Sequence, residues 1–352
     1  LRAMVLAVSI SFLLLVFQQS IAAFSFYLIN CNDSIEPLAQ QYFYIRIWSA
    51  PACLCQYVIL GWFLGRQNTT SPLLIVVTTN ACNICLDLLF VVHYGMNTEG
   101  VALASVLAEY IGLIFGVLLV IRNIPVSSLS LSWPHLLQAD KIKAMLLING
   151  HLFVRTLCLI FTFSFFTVQG AKFGSAILAA NAILMNFQTF MAYALDGFAH
   201  AAEALIGRAL GAKNKILFQQ SIKTTALWSL LVALLFTLTF NFAGQDIINS
   251  LTHLTEVREP AYEYLPWLIA LPLISFSSFL LDGVFIGATL SRQMRDCILL
   301  SLFLVFLPSW YYTQDLTNHG LWLALSLFML MRTLIMLGYY LYYQRSIMQS
   351  LA

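Results

Sequence analysis

Charged residues are scarce in this sequence of 352 residues. Asp, Glu, Lys and Arg together make up 9% of the chain, against roughly 25% in soluble domains. Apolar residues account for 61%, and the mean hydropathy is +0.85. This composition excludes a soluble globular protein and predicts a polytopic membrane protein. The formal net charge of +2 is too small to predict a nucleic acid as partner.

The motifs of common enzyme and metal chemistry are also missing. The chain contains no GxSxG, no HExxH and no GxxxxGK(S/T). Its seven cysteines are odd in number and mostly lie in apolar runs, which argues against a disulfide framework. The CNIC segment at 82–85 is better explained as two small thiols one helical turn apart than as a metal site. We therefore predict no enzymatic activity, no cofactor and no bound metal.

What the chain does contain is ten apolar runs, each near the 20 or so residues that cross a bilayer as a helix. They lie near 3–29, 41–65, 71–93, 99–121, 144–168, 174–207, 218–242, 260–288, 297–312 and 319–343.

The connections between ten spans alternate sides of the membrane, and the basic residues are divided very unevenly between the two sides. One side holds Lys172 and Arg258. The other side holds Arg2, Arg66, Arg122, Lys141, Lys143, Arg208, Lys213, Lys215, Lys223, Arg292, Arg295 and Arg345. By the positive-inside rule both termini of this chain are predicted to be cytoplasmic.

Two pairs of short segments match each other at nearly one spacing. LGWFLG at 60–65 matches DGVFIG at 282–287, an offset of 222, and EGVALAS at 99–105 matches HGLWLALS at 319–326, an offset of 220. Same-order matches indicate a parallel repeat.

We therefore predict an all-α membrane protein of two pseudo-symmetric bundles, with four helices in 1–121, a polar cytoplasmic linker at 122–143 and six helices in 144–352. The repeat places the start of the first copy about 80 residues before residue 1, so we expect two helices of the first bundle to be absent from this chain.

Ionisable residues inside the predicted spans are the candidates for function. In the second bundle Asp196, His200 and Glu203 are spaced i, i+4, i+7 and share one helical face. An Asp at bilayer depth costs about 2.5–3.5 kcal/mol on insertion scales, so this face is expected to look into protein or a water-filled cavity. Asp282 and Arg155 lie in neighbouring spans, and the two aspartates could face one another or share Arg155. A structural ion pair and a transport role both remain open for these three residues.

A second polar stripe lies in the first bundle. Asn80, Asn83 and Asp87 fall at i, i+3, i+7 on an otherwise apolar helix. A carboxyl flanked by amides in this position could exchange a proton or, with the amide oxygens, bind sodium. An interhelical hydrogen-bond cluster is the structural alternative.

Four segments together are specific enough to indicate a family. They are NACNICLDLLFVVHYGMNTEGVALASVLAEY, NGHLFVRTL, AANAILMNFQTFMAYALDGFAHAAEALIGRALGAK and LPLISFSSFLLDGVFIGAT. With them the chain resembles the multidrug and toxic compound extrusion (MATE) transporters over essentially its whole length, and within them the DinF branch.

The resemblance implies two six-helix bundles around a cavity that opens alternately to the two sides, in a multi-pass protein of the bacterial inner membrane. It implies a secondary antiporter, expected as a monomer, that exports small organic, often cationic compounds in exchange for protons or sodium. Asp87 and Asn83 match residues of the family's fifth helix, Ser105 stands where a threonine is often found, and Tyr42 matches a tyrosine of the same cavity. The alternatives are a lipid-linked oligosaccharide flippase, which a basic cavity would favour, a membrane-embedded enzyme and a non-functional fragment of a transporter.

Overall fold

The computed structural model describes residues 1–29, 36–124 and 138–350. Within these residues every regular element is helical, which confirms the predicted all-α class. In chain order the helices are α1 Arg2–Val16, α2 Gln18–Ile29, α3 Glu36–Arg46, α4 Ala50–Gly65, α5 Thr70–Asp87, α6 Thr98–Asn123, α7 Ala139–Ala171, α8 Ser175–Gly211, α9 Lys215–Leu251, α10 Thr255–Gly287, α11 Ser291–Leu300, α12 Leu307–Tyr312 and α13 Thr317–Ser350.

Each of the ten predicted spans coincides with helical structure. Among the described residues, nine helical segments are long and apolar enough to cross a membrane. A tenth span results if α1 and α2, bent by 65° relative to each other, are counted as one. Helices α8 and α9 continue past the predicted spans at the ends that face each other, where a turn of only three residues joins them. In this turn the Asn214 side chain caps the backbone N–H of Leu217 at 2.9 Å.

The chain divides into two compact units, Leu1–Ile142 and Lys143–Ala352. The predicted linker at 122–143 lies at this division, and its residues 125–137 are outside the described part of the chain. In the first unit α6 packs against α3, α4 and α5, with a small core around Ile59, Phe63 and Ile75.

The second unit is built around α10, which packs against α8, α9 and α13. Proline at 272 removes one helical N–H from α10, and Thr237 of α9 donates to the nearby carbonyl of Ile269 at 3.1 Å. Helix α7 joins this core through its side chains, including an edge-to-face contact of Phe166 with Trp322 at 5.0 Å between ring centroids.

The matched motifs at 60–65 and 282–287 end their helices with the same turn. Gln67 and Thr289, again 222 residues apart, both adopt positive φ, at 60° and 58°. In each turn the positive-φ residue donates to the carbonyl three positions back, at 2.9 Å. The next residue donates to the carbonyl five positions back, at 3.0 Å in the first copy and 2.8 Å in the second. This is the Schellman pattern, which also closes α8 at Lys213. The shared geometry at one offset supports the parallel repeat.

Two glycines allow α8 and α10 to approach closely. A Cβ on Gly283 would fall on the backbone carbonyl of Ala199, and one on Gly287 would lie 2.6 Å from the carbonyl oxygen of Glu203. Small residues four positions apart are a common means of close helix packing in membranes, where dispersion forces replace the hydrophobic effect. This contact brings Asp282, next to Gly283, against the polar face of α8.

We expect Gly283→Ala to destabilise the protein by about 1–3 kcal/mol, because the methyl group must displace the backbone of α8. Gly197→Ala is the matched control, since Gly197 also follows an aspartate and has open space around it. Thermal unfolding of the purified variants in detergent measures the difference. Equal midpoints for the two variants would contradict the assigned contact.

Candidate functional site

A cavity of about 600 Å³ lies inside the second unit, between α7, α8, α10 and α13. Its apolar wall includes Phe163, Phe279, Met185 and Met329. Seven of its lining residues carry charged or strongly polar side chains, and they are Arg155, Gln188, Asp196, His200, Glu203, Asp282 and Arg332. Four predicted site residues, Asp196, Asp282, Arg155 and Glu203, are thus brought to one cavity.

The centre of this group is the carboxylate of Asp282. Its Oδ2 atom accepts a hydrogen bond from Nη2 of Arg332 at 2.8 Å and a second from Nη2 of Arg155. Asp282 and Arg332 are buried, with side chains 8% and 3% exposed, whereas the Arg155 side chain is 19% exposed. One carboxylate therefore joins α7, α10 and α13, and the structural ion pair considered for Arg155 is present.

The predicted polar face of α8 also lines the cavity. Glu203 lies 3.5 Å from His200, between Oε2 and Nδ1, and both side chains are substantially exposed. Asp196 is half-buried, and within the described chain its carboxylate makes no hydrogen bond or ion pair. The two aspartates line the same cavity, and Arg155 bonds to Asp282 and not to Asp196.

Two residues of this site were not selected from the sequence. Arg332 lies within the predicted span 319–343, and an intramembrane arginine is itself a signal for a buried partner. Gln188 is 2% exposed, lines the cavity, and leaves its Oε1 atom without a hydrogen-bond partner. Polar residues at 188 and 196, eight positions apart on one apolar helix, were the available signal for Gln188.

In the first unit the predicted polar stripe is only partly assembled. Asn83 donates from Nδ2 to the hydroxyl of Ser105 at 3.3 Å, joining α5 to α6. Asp87 is the last residue of α5 and is followed by a π-helical segment, Leu88–His93. The Oδ1 atom of Asp87 is buried and has no hydrogen-bond partner. Asn80 is exposed and bonds to the carbonyl of Val76 on its own helix, so it does not join the group.

Tyr42 lies elsewhere in the first unit. It lines a separate cavity of about 510 Å³ together with Arg46, Ser49 and Cys53. The lining residues identified for that cavity in the described chain do not include Asn83, Asp87 or Ser105. The cavity of Tyr42 is lined by residues between 14 and 54, whereas Asn83 and Asp87 belong to α5 and Ser105 to α6.

Comparison with known proteins gives one consistent result. A family model described as MatE matches residues 152–311. DNA damage-inducible protein F of Escherichia coli (strain K12) is 37% identical over 341 residues, covering 94% of this chain and 72% of that protein. Protein DETOXIFICATION 42 of Arabidopsis thaliana is 25% identical over 309 residues, covering 84% of this chain and 56% of that protein. Among solved structures, a mutant of the MATE transporter VcmN of Vibrio cholerae aligns with a TM-score of 0.82 at 21% identity, over 99% of this chain and 77% of that one, which shows a common fold.

The shared carboxylate makes a stability prediction. Asp282→Asn leaves the buried Arg332 and its neighbour Arg155 facing a neutral amide, and removing one partner of a buried ion pair costs about 3–5 kcal/mol. We expect a marked fall in the thermal unfolding midpoint in detergent. Asp246→Asn, at an exposed aspartate of α9, is the control and should leave the midpoint unchanged. If both variants unfolded like the parent protein, the ion pair would not stabilise the unit.

Proposed function

The chain belongs to the MATE family of transporters, and from this premise we propose that it is a secondary antiporter exporting small organic, often cationic compounds in exchange for protons or sodium. The observation that carries the proposal is Asp87, a carboxyl within a membrane span whose Oδ1 atom is buried without a partner. Relatives of the chain are transporters, not enzymes.

An unpaired carboxylate at membrane depth is unfavourable unless it takes up a proton or a cation. Asp87 has the local features that suit reversible uptake. It is half-buried, it precedes a π-helical segment of a kind often found at functional sites, and it lies one turn after Asn83. Because Asn83 donates its amide N–H to Ser105, its amide oxygen remains available as a neutral ligand.

The charges of the second-unit cavity do not favour the flippase alternative. A site for a lipid-linked pyrophosphate needs a clear excess of basic groups. The cavity sets two arginines against three carboxylates, and one of these carboxylates is already bonded to both arginines.

We further propose a bacterial inner-membrane location, a monomer in the lipid bilayer and cytoplasmic termini for this chain. Small organic compounds and the coupling ion would be its ligands, with no nucleic acid and no cofactor. The distribution of Lys and Arg supports the orientation.

Asp87→Asn is expected to abolish efflux of a fluorescent organic cation from cells or proteoliposomes, because the amide can neither gain nor lose a proton and cannot supply a charged ligand. Efflux driven separately by a pH gradient and by a sodium gradient identifies the coupling ion in the parent protein. Asp246→Asn should transport normally at equal membrane expression. Unchanged efflux by the Asp87→Asn variant would remove Asp87 from the mechanism.

The orientation predicts opposite locations for two short turns. A reporter active only outside the cytoplasm, such as alkaline phosphatase, should be active when fused after Lys172 and inactive when fused after Lys213. A fluorescent-protein reporter that matures only in the cytoplasm should give the reverse pattern. The opposite assignment of both turns would overturn the proposed topology.

A further inference from the structure

Helices related by the repeat meet through equivalent contacts in the two units. In the first unit Nε2 of Gln41, on α3, donates to Oε1 of Glu99, on α6. In the second unit Nε2 of His319, on α13, lies 2.9 Å from Oε1 of Glu263, on α10. Gln41 and Glu263 are 222 residues apart, and Glu99 and His319 are 220 apart, which are the two offsets of the matched motifs. The second copy of the contact therefore contains a histidine that the first copy lacks.

The second copy also has an indole donor. Nε1 of Trp267, one turn after Glu263 on α10, donates to Nδ1 of His319 at 3.1 Å. An indole nitrogen can only donate, so Nδ1 holds a lone pair and the proton of the neutral ring is on Nε2, which donates to Glu263. Ile45 stands 222 residues before Trp267 and cannot form such a bond. His319 can thus keep both bonds to α10 only while its ring is neutral.

We propose that His319 is a proton-binding site at this end of the second unit, and that protonation of its ring retains the bond to Glu263 and breaks the bond from Trp267. A protonated imidazole carries an N–H on both nitrogens and has no lone pair, so Nδ1 would face the indole as donor against donor. The Nε2–H of the charged ring would still donate to Glu263, now within an ion pair. One proton therefore changes which side chain of α10 holds α13.

The site is open to water. The side chains of His319 and Glu263 are 42% and 55% exposed. Histidine is the side chain whose charge ordinarily changes between about pH 5 and pH 8. The proposed topology places this end of α10 and α13 outside the cytoplasm, so the contact would respond to external acidity. That location rests on the proposed function, whereas the exchange of contacts does not.

Glu263 is the charged group in direct contact with the ring. Tyr264, also on α10, is buried and packs edge-to-face on the imidazole, with 4.8 Å between ring centroids. Arg258 is directed to the end of α9, where it donates to the carbonyls of Asn249 and Thr252. Other charged groups of the surrounding elements make no side-chain hydrogen bond or ion pair in the described chain, and they are Glu256 and Glu259 of α10, Asp315 before α13 and Lys172 between α7 and α8.

The start of α13 is also held to α8, by groups that do not titrate. Asn318 and Asn181 exchange two amide hydrogen bonds, at 2.8 and 3.0 Å, and Trp322 donates to Oδ1 of Asn181 at 3.0 Å. All three side chains are buried. Because these bonds remain when His319 gains a proton, we expect α13 to keep its place on α8.

Helix α10 is the element expected to respond. Pro266 and Pro272 each lack a backbone N–H, so helical hydrogen bonds are missing near Trp267. Side-chain contacts such as the bond from Trp267 to His319 therefore have more weight in holding this part of the helix. When that bond is lost, we expect the backbone of α10 around Trp267 to open more readily.

NMR of the indole nitrogens reads the state of the bond. The full chain has seven tryptophans, and it is labelled with indole-15N tryptophan and held in lipid nanodiscs. The Trp267 signal is the one missing from the spectrum of the Trp267→Phe variant. On lowering the pH from about 8 to about 5, we expect this signal to move along a one-proton titration curve.

His319→Gln is the decisive variant. Its side-chain oxygen can accept from Trp267 and its nitrogen can donate to Glu263 at every pH, so the Trp267 signal should no longer titrate. His253→Gln is the matched control. His253 is an exposed histidine of the turn between α9 and α10 with no side-chain hydrogen bond in the described chain, so its replacement should leave the titration of Trp267 unchanged.

Hydrogen exchange, corrected for the intrinsic effect of pH, tests the response of α10. Peptides around Trp267 should be less protected at about pH 5 than at about pH 8 in the parent, and equally protected in His319→Gln. Peptides around Gln41 are the internal control, because the first-unit contact contains no histidine.

The inference is overturned if the Trp267 signal of the parent does not titrate, if His319→Gln keeps the titration, or if the protection of α10 is independent of pH. A failure of the proposed antiport is distinguishable from these outcomes. It appears as unchanged efflux in the Asp87→Asn variant, which alters the first unit and is measured by transport.

Discussion

The buried carboxylate of Asp282 is the interaction on which the second unit depends. A single oxygen accepts from Arg155 and Arg332, so one negative charge in the interior of a span is opposed by two positive ones. Arg332 could not be buried without it, because an unpaired charge at membrane depth is costly. The same bond connects α7 to the core of the unit. Since α7 otherwise joins that core through side chains such as Phe166, the ion pair also fixes where the helix lies.

Close helix packing makes this ion pair possible. Gly283 and Gly287 leave the surface of α10 flat where it meets the backbone of α8 at Ala199 and Glu203. Side chains on either side of that contact are then forced into one small volume, which is why Asp196 of α8 and Asp282 of α10 line the same cavity. The LDG motif thus has two parts with different roles. Its glycine positions the helices, and its aspartate supplies the charge.

The spans and the polar face of α8 could be predicted because both are properties of a single helix. The length of each apolar run matches the thickness of a bilayer, and the spacing of Asp196, His200 and Glu203 matches the period of an α-helix. Pairing between helices is different. Asp282 and Arg332 are 50 residues apart, and no periodicity indicates that they meet. Likewise the burial of Gln188 and the separate cavity of Tyr42 depend on which helices are neighbours, and the π-helical segment after Asp87 depends on local packing.

The acidic residues of the two units have different partners, and this bears on the proposed exchange. The carboxylate of Asp282 is bonded to two arginines, both of which would lose their anionic partner if its charge were removed. Asp87 has a buried oxygen without a donor, so a proton or a cation would satisfy it and not disrupt it. These different contacts are the reason for placing the proposed ion exchange at Asp87 in the first unit and not at Asp282 in the second.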